Sequence, residues 1–180
     1  MAKDFDPRRL DVRRFAEEGG ELNADEALSR FSRLAAETVE APADLHVHWH
    51  AHGEMRNPRH HEPEVWLHLA ADAILPLVCQ RCLQPVDMPV ALERSFRFVA
   101  DEATAAAQDD DSEEDLLALS NSFDLPELVE DELLMELPVA PRHETCPEPV
   151  KMSAVDPGFE EAGAERENPF AVLGRLKTGK

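Results

Sequence analysis

The sequence predicts an α+β fold: an antiparallel sheet or partly closed small barrel of about four strands, with roughly two or three flanking helices and an irregular C-terminal segment. Three observations lead there. Apolar and polar residues alternate over 45–52, 64–69 and 86–98, the period of half-buried strands. The links between these runs are too short for helical crossovers, which makes the neighbouring strands antiparallel. Two other stretches, near 23–35 and 124–137, carry a capping residue followed by apolar positions at helical spacing.

Taken in order, the first helix is expected after Asn23, whose side chain can accept from a free backbone N–H while Glu26 reaches back. Leu28, Phe31, Leu34 and Ala35 would line its buried face. The first strand sets Leu45, Val47, Trp49 and Ala51 against His46, His48, His50 and His52. The second begins at Glu64, with Val65, Leu67 and Leu69 opposite Trp66 and His68. In the third, Val86, Met88, Val90, Leu92, Phe96 and Phe98 share one parity that only Arg94 interrupts. Pro89 has the other parity and no N–H to donate, so it marks an edge or a bulge.

Residues 101–115 hold no basic residue and only alanine as apolar content, which predicts a mobile acidic loop. A short strand over 116–119 is expected next. The second helix has Asp124 as its cap, Glu127 three residues on, and Leu125, Leu128, Val129, Leu133, Met135 and Leu137 as its apolar face, with Pro138 as its stop. Prolines 141, 147, 149 and 157 then impose an extended segment over 138–180, within which Asn168-Pro169 can start a last helix.

A chain of 180 residues with 43% apolar content fits a single domain spanning 1–180. Its N-terminus is polar and resembles no signal peptide, and residues 70–79 are too short and interrupted to span a bilayer. Three cysteines, two of them close together, suit a reducing compartment, so a cytoplasmic location is expected. The net charge of −20 disfavours direct binding of nucleic acid, which gains affinity when Lys and Arg displace counterions, and favours a basic protein partner. Solubility alone is the plainer reading of that charge.

Cys79-Gln80-Arg81-Cys82 joins the second and third strands and can supply half of a tetrahedral zinc shell. His143 and Cys146 can supply the other half, so a structural zinc ion on Cys79, Cys82, His143 and Cys146 is one reading. Metal-free structural thiols are another, and a thiol oxidoreductase a third. The redox reading is weakest, because such pairs normally open a helix, whereas Leu83-Gln84-Pro85 runs into a strand. The alternating histidines suit a metal, a stacked base or a response to acid, and most often such a stripe is only the solvated face of a strand. Seven of the eight histidines fall within 46–68, His60 and His61 among them. Motifs for nucleophilic, phosphate-binding or zinc-protease chemistry are missing, so no enzyme and no small-molecule substrate are expected.

Three blocks in order, LVCQRCLQP at 77–85, DLPELVEDELLMELPVAPRH at 124–143 and NPFAVLGRLK at 168–177, resemble the large ribosomal RNA subunit accumulation protein family (YceD). The resemblance implies a cytoplasmic, non-catalytic factor in the synthesis, processing or stability of 23S ribosomal RNA during large-subunit assembly. Family genes commonly neighbour that of a small basic large-subunit protein, which implies an escort or binding role toward a basic ribosomal protein or assembly factor as the alternative. The RNA itself would be met directly or indirectly. The partner-binding candidates are Arg81 and the block Asn168, Pro169, Phe170, Leu173, Arg175 and Lys177, with further basic sites at Arg8, Arg9, Arg13, Arg14 and Lys180.

Overall fold

The computed structural model describes residues 5–40, 42–57 and 62–148. The chain divides into two units, Met1–Thr145 and Cys146–Lys180. Of the second unit, only 146–148 are described; the expected helix start at Asn168-Pro169 lies outside the described residues, as do His60 and His61.

The first unit is α+β. Its sheet is open, in the order β1 (Glu21–Ala27), β2 (His46–Arg56), β3 (Glu64–Val78), β4 (Pro85–Val99) and β5 (Asp115–Ala118). The first four strands pair antiparallel, from Glu21↔His52 through Val47↔Ala73 to Val78↔Pro85. The helices are α1 (Val12–Glu17), α2 (Ser32–Ala36), α3 (Glu102–Gln108) and α4 (Leu125–Met135). Alternation places Val47, Trp49, Leu67, Leu69, Val90, Leu92 and Phe96 in one core with Phe15, Phe31, Leu34, Leu125, Val129 and Leu133 of the helical layer. Of the opposite parity, His46, His48, His50, Asp72 and Glu93 are exposed, while Trp66 and Val99 are buried.

Three expectations are corrected. Asn23 and Glu26 cap no helix: both lie in β1, and Leu28, Phe31 and Leu34 are buried from a short 3₁₀ turn and α2 that follow it. Pairing along seven residues of β2 outweighs the local capping preference, and Glu26 instead accepts from the Trp49 indole at 3.3 Å and pairs with Arg30 at 2.9 Å. Residues 101–115 include α3, because alanine has the best intrinsic helix propensity and Asp101 accepts from the Thr104 N–H at 2.8 Å. That helix provides a crossover, so β5 runs parallel to β4 where an antiparallel sheet is expected. The helix α4 and its Asp124 cap, accepting from Glu127 N–H at 3.1 Å, match expectation. Helix α1, capped by Asp11, had no clear periodic signal in so short a stretch.

Helix α4 also caps its neighbour. Helix α2 has no side-chain cap of its own, and the buried Glu130 carboxylate accepts from the N–H groups of Arg33 (2.7 Å) and Leu34 (3.1 Å) while pairing with the Arg33 guanidinium. Arg94, the one interruption of the β4 core parity, meets Glu132 at 3.0 Å, Glu136 at 3.1 Å and Asp115 at 3.4 Å. Burial pushes the Glu132 carboxyl above its ordinary range, and the Arg94 charge pulls it back. Removing Arg94 would strand a desolvated carboxylate, so Arg94→Met is expected to cost about 3 kcal/mol. The double variant Arg94→Met/Glu132→Leu should recover most of that loss in urea denaturation; no recovery would refute the ion-pair account.

Gly53 lets α1 cross the sheet. A Cβ there would stand 2.7 Å from Phe15 Cδ1 and 2.9 Å from the backbone nitrogen of Ala16. Since the helix backbone itself is in the way, Gly53→Ala is expected to destabilise by about 2 kcal/mol; an unchanged denaturation midpoint would show that α1 is free to shift.

Candidate metal centre at the strand turn

Strands β3 and β4 are joined by residues 79–84, and the turn is tied by its own backbone. Cys79 N–H donates to Gln84 C=O at 3.0 Å and Leu83 N–H to Cys79 C=O at 2.8 Å. Leu83 takes φ 61° with its side chain exposed, a left-handed conformation costing a non-glycine residue roughly 1 kcal/mol. Such strain persists only where the surroundings fix the backbone.

Beyond α4, an irregular segment runs along this turn. Pro141 C=O accepts from Gln80 N–H at 2.8 Å, and the carbonyls of His143 and Glu144 accept from Arg81 Nη2 at 2.8 and 3.3 Å. These bonds set His143 Nδ1 3.4 Å from Cys82 Sγ. Cys146, three residues on and kept near by the chain itself, completes a group with Cys79, Cys82 and His143 in which all four ligand atoms lie within 4.8 Å of one another. A tetrahedral zinc ion with bonds of about 2.3 Å to sulfur and 2.0 Å to nitrogen needs ligand atoms roughly 3.5–3.8 Å apart. The donor set fits zinc in its chemistry, the Cys82–His143 pair already stands at 3.4 Å, and the limit of 4.8 Å on the group lies about 1 Å beyond that tetrahedral edge.

Cys79 is wholly buried, while Cys82, His143 and Cys146 are half-buried. Burial pushes the Cys79 thiol up, but N–H groups of Cys82, His143 and Arg81 and the His143 side chain more than offset this, leaving it at about 5. A thiolate is the form a metal takes. A redox nucleophile also wants a low pKa, yet it needs access, and this sulfur has none.

Arg81 thus anchors the 141–144 segment, and the other residues expected to bind partners, Asn168, Pro169, Phe170, Leu173, Arg175 and Lys177, lie outside the described residues. The histidine stripe forms no comparable ligand cluster among the described residues. His46 instead contacts the Asp25 carboxylate, His48 lies 3.6 Å from the same oxygen, and His52 stacks on His68 at 6.1 Å. Sequence reasoning did not single out Asp25, Asp72 and Glu93, whose strand parity puts them on the same outer face as the stripe.

An open sheet with α1, α2 and α4 on one face, α3 packed against Val99 and Leu116 on the other, and a Cys3His group able to hold a metal at its longest hairpin defines a small α+β protein. The chain belongs to the large ribosomal RNA subunit accumulation protein YceD family, whose profile matches residues 67–177, from within β3 through both halves of the cluster. It is 35% identical over 104 residues to the large ribosomal RNA subunit accumulation protein YceD of Haemophilus influenzae, a match covering 56% of this chain and 59% of that protein. No solved structure matches the chain. Among the described residues, no helix is long and apolar enough to cross a membrane.

The Cys79 thiol titrates at about 5 in the folded protein, against an ordinary 9.0. A depressed native pKa adds stability that is complete above the unfolded value and is lost as pH falls through the folded one. Reduced, chelator-treated protein should therefore become steadily more resistant to urea from pH 5 to pH 9, and Cys79→Ser should flatten that slope. An unchanged slope in the variant would disprove the assignment.

Proposed function

We propose that this protein is a cytoplasmic, non-catalytic factor supporting accumulation of the large-subunit ribosomal RNA, its 23S species, and that a structural zinc ion on Cys79, Cys82, His143 and Cys146 locks the segment after α4 to the β3–β4 turn. The observation that carries the reading is the convergence of three thiols and an imidazole from two parts of a chain that belongs to this family. The family is described by an effect on RNA abundance, and no reaction is part of that description.

When bound, zinc would supply cross-linking energy, on the order of 10 kcal/mol of apparent binding for structural sites. The protein's own residues prepare for it. The knuckle presents Cys79 as a thiolate, Arg81 holds the His143 and Glu144 carbonyls, and burial of Cys79 keeps solvent from that sulfur.

A mode of action through a basic ribosomal protein or assembly factor is favoured over naked RNA. The chain carries −20, and all four of its lysines (3, 151, 177 and 180) lie outside the described residues. Several described arginines are already bound by carboxylates, as at Arg33, Arg94 and Arg97. RNA affinity relies on free cationic groups at phosphates.

Reduced protein purified without added metal should contain about one zinc per chain, falling below about a tenth in Cys82→Ser/His143→Ala; a metal-poor wild type would remove the zinc assignment. A strain lacking the protein should show a lower ratio of 23S to 16S RNA, partly restored by the wild type and less by the ligand variant. Unchanged 23S in the deletion strain would defeat the accumulation role.

A further inference from the structure

The outer face of the sheet carries a second feature. With α1, α2 and α4 packed on the other side, four strands expose an open trough of about 480 Å³. Its floor includes Ala70 and Ala91, whose short side chains leave room above β3 and β4. Two cross-strand rows run across it: Asp25, His48, Asp72 and Ala91 in one, and Asn23, His50 and Ala70 in the next, which continues beyond the trough lining to Glu93. Asp72 and Glu93 are exposed, and neither has an ion pair or hydrogen bond among the described residues.

Arginine side chains sharing this parity are withdrawn from the trough. Arg56 pairs with Glu54 and lies over the Trp66 ring, its guanidinium carbon 4.0 Å from the centroid, and Arg97 is held by Glu114 and Ser112. His46 contacts the Asp25 carboxylate and His48 lies 3.6 Å from the same oxygen, at one end of the trough. The trough is thus anionic, with an apolar floor and ring walls. An arginine or lysine has the complementary form, an apolar stem ending in a cation. Phosphate would be repelled by the same carboxylates.

We propose that this outer face docks an arginine- or lysine-rich segment of a protein partner, its stems on Ala70 and Ala91 and its cationic ends at Asp72, Glu93 and Asp25; this rests on the basic-partner reading above. The surface is separate from the Cys3His cluster at the turn, so the two can be lost independently.

The test is fluorescence anisotropy of the full chain with a labelled peptide of alternating arginine and glycine. Asp72→Asn/Glu93→Gln should weaken binding about tenfold, the effect of removing two surface ion pairs of middling strength. Asp109→Asn/Asp110→Asn, which removes the same charge from the exposed turn after α3, should change it less than about twofold. Equal weakening by both pairs would mean diffuse charge attraction and would overturn the proposal, as would no binding by the wild type. An oligouridylate that bound the wild type and lost affinity in the trough variant would make the face an RNA surface and overturn it equally. The cellular RNA ratio separates the two readings: failed peptide binding with 23S still dependent on the protein ends the docking site alone, whereas trough-dependent binding with normal 23S in the deletion strain ends the accumulation role alone.

Discussion

The pairing of β3 with β4 is the constraint on which the rest depends. Antiparallel partners run without a break from Val65↔Phe98 to Val78↔Pro85. Because side chains alternate across a strand, a one-residue slip would exchange the core and solvent faces. Fixing this register puts Leu67, Leu69, Val90 and Leu92 under the helices and turns Asp72, Ala91 and Glu93 outward. It also delivers Cys79 and Cys82 to the end of the hairpin, where the chain after α4 can reach them. The cluster and the outer trough are thus two products of one hairpin.

Electrostatics make the interior more specific without making the surface neutral. Arg33 and Arg94 are drawn into carboxylate groups supplied largely by α4, where Glu130 and Glu132 are buried. These pairs are closer to registration devices than to sources of large net stability, since desolvation offsets much of the Coulomb attraction. Glu130 fixes α2 on α4 by capping it from outside, and Arg94 fixes α4 on β4. With so many described cations engaged in such contacts, the acidic majority faces solvent and sets the character of the surface.

Much of the fold was legible because long alternating runs have one strong solution. Strands β2, β3 and β4 and helix α4 occupy the places their periodicity implies, and the Asp124 cap is where its spacing puts it. Short elements escaped for a physical reason: a few residues carry little periodicity, so partners decide them. Asn23 and Glu26 have helix-cap chemistry, yet β2 offers a ladder that local hydrogen bonds cannot match. Residues 101–108 combine acidic character with alanine propensity, and contact of Ala105 with Val99 and Leu116 goes with helix there.

The sequence by itself determined which residue types could hold a metal, which parity each strand buries, and how strongly acidic the molecule is, since these follow from composition and period. Only tertiary structure decided that His143 meets Cys82, that Arg81 holds the segment beside it, and that Asp25 and Asp72 share one trough with Glu93 on the same face. Those neighbours are set by strand register and by the path of the chain after α4, quantities that depend on contacts between residues far apart in the chain.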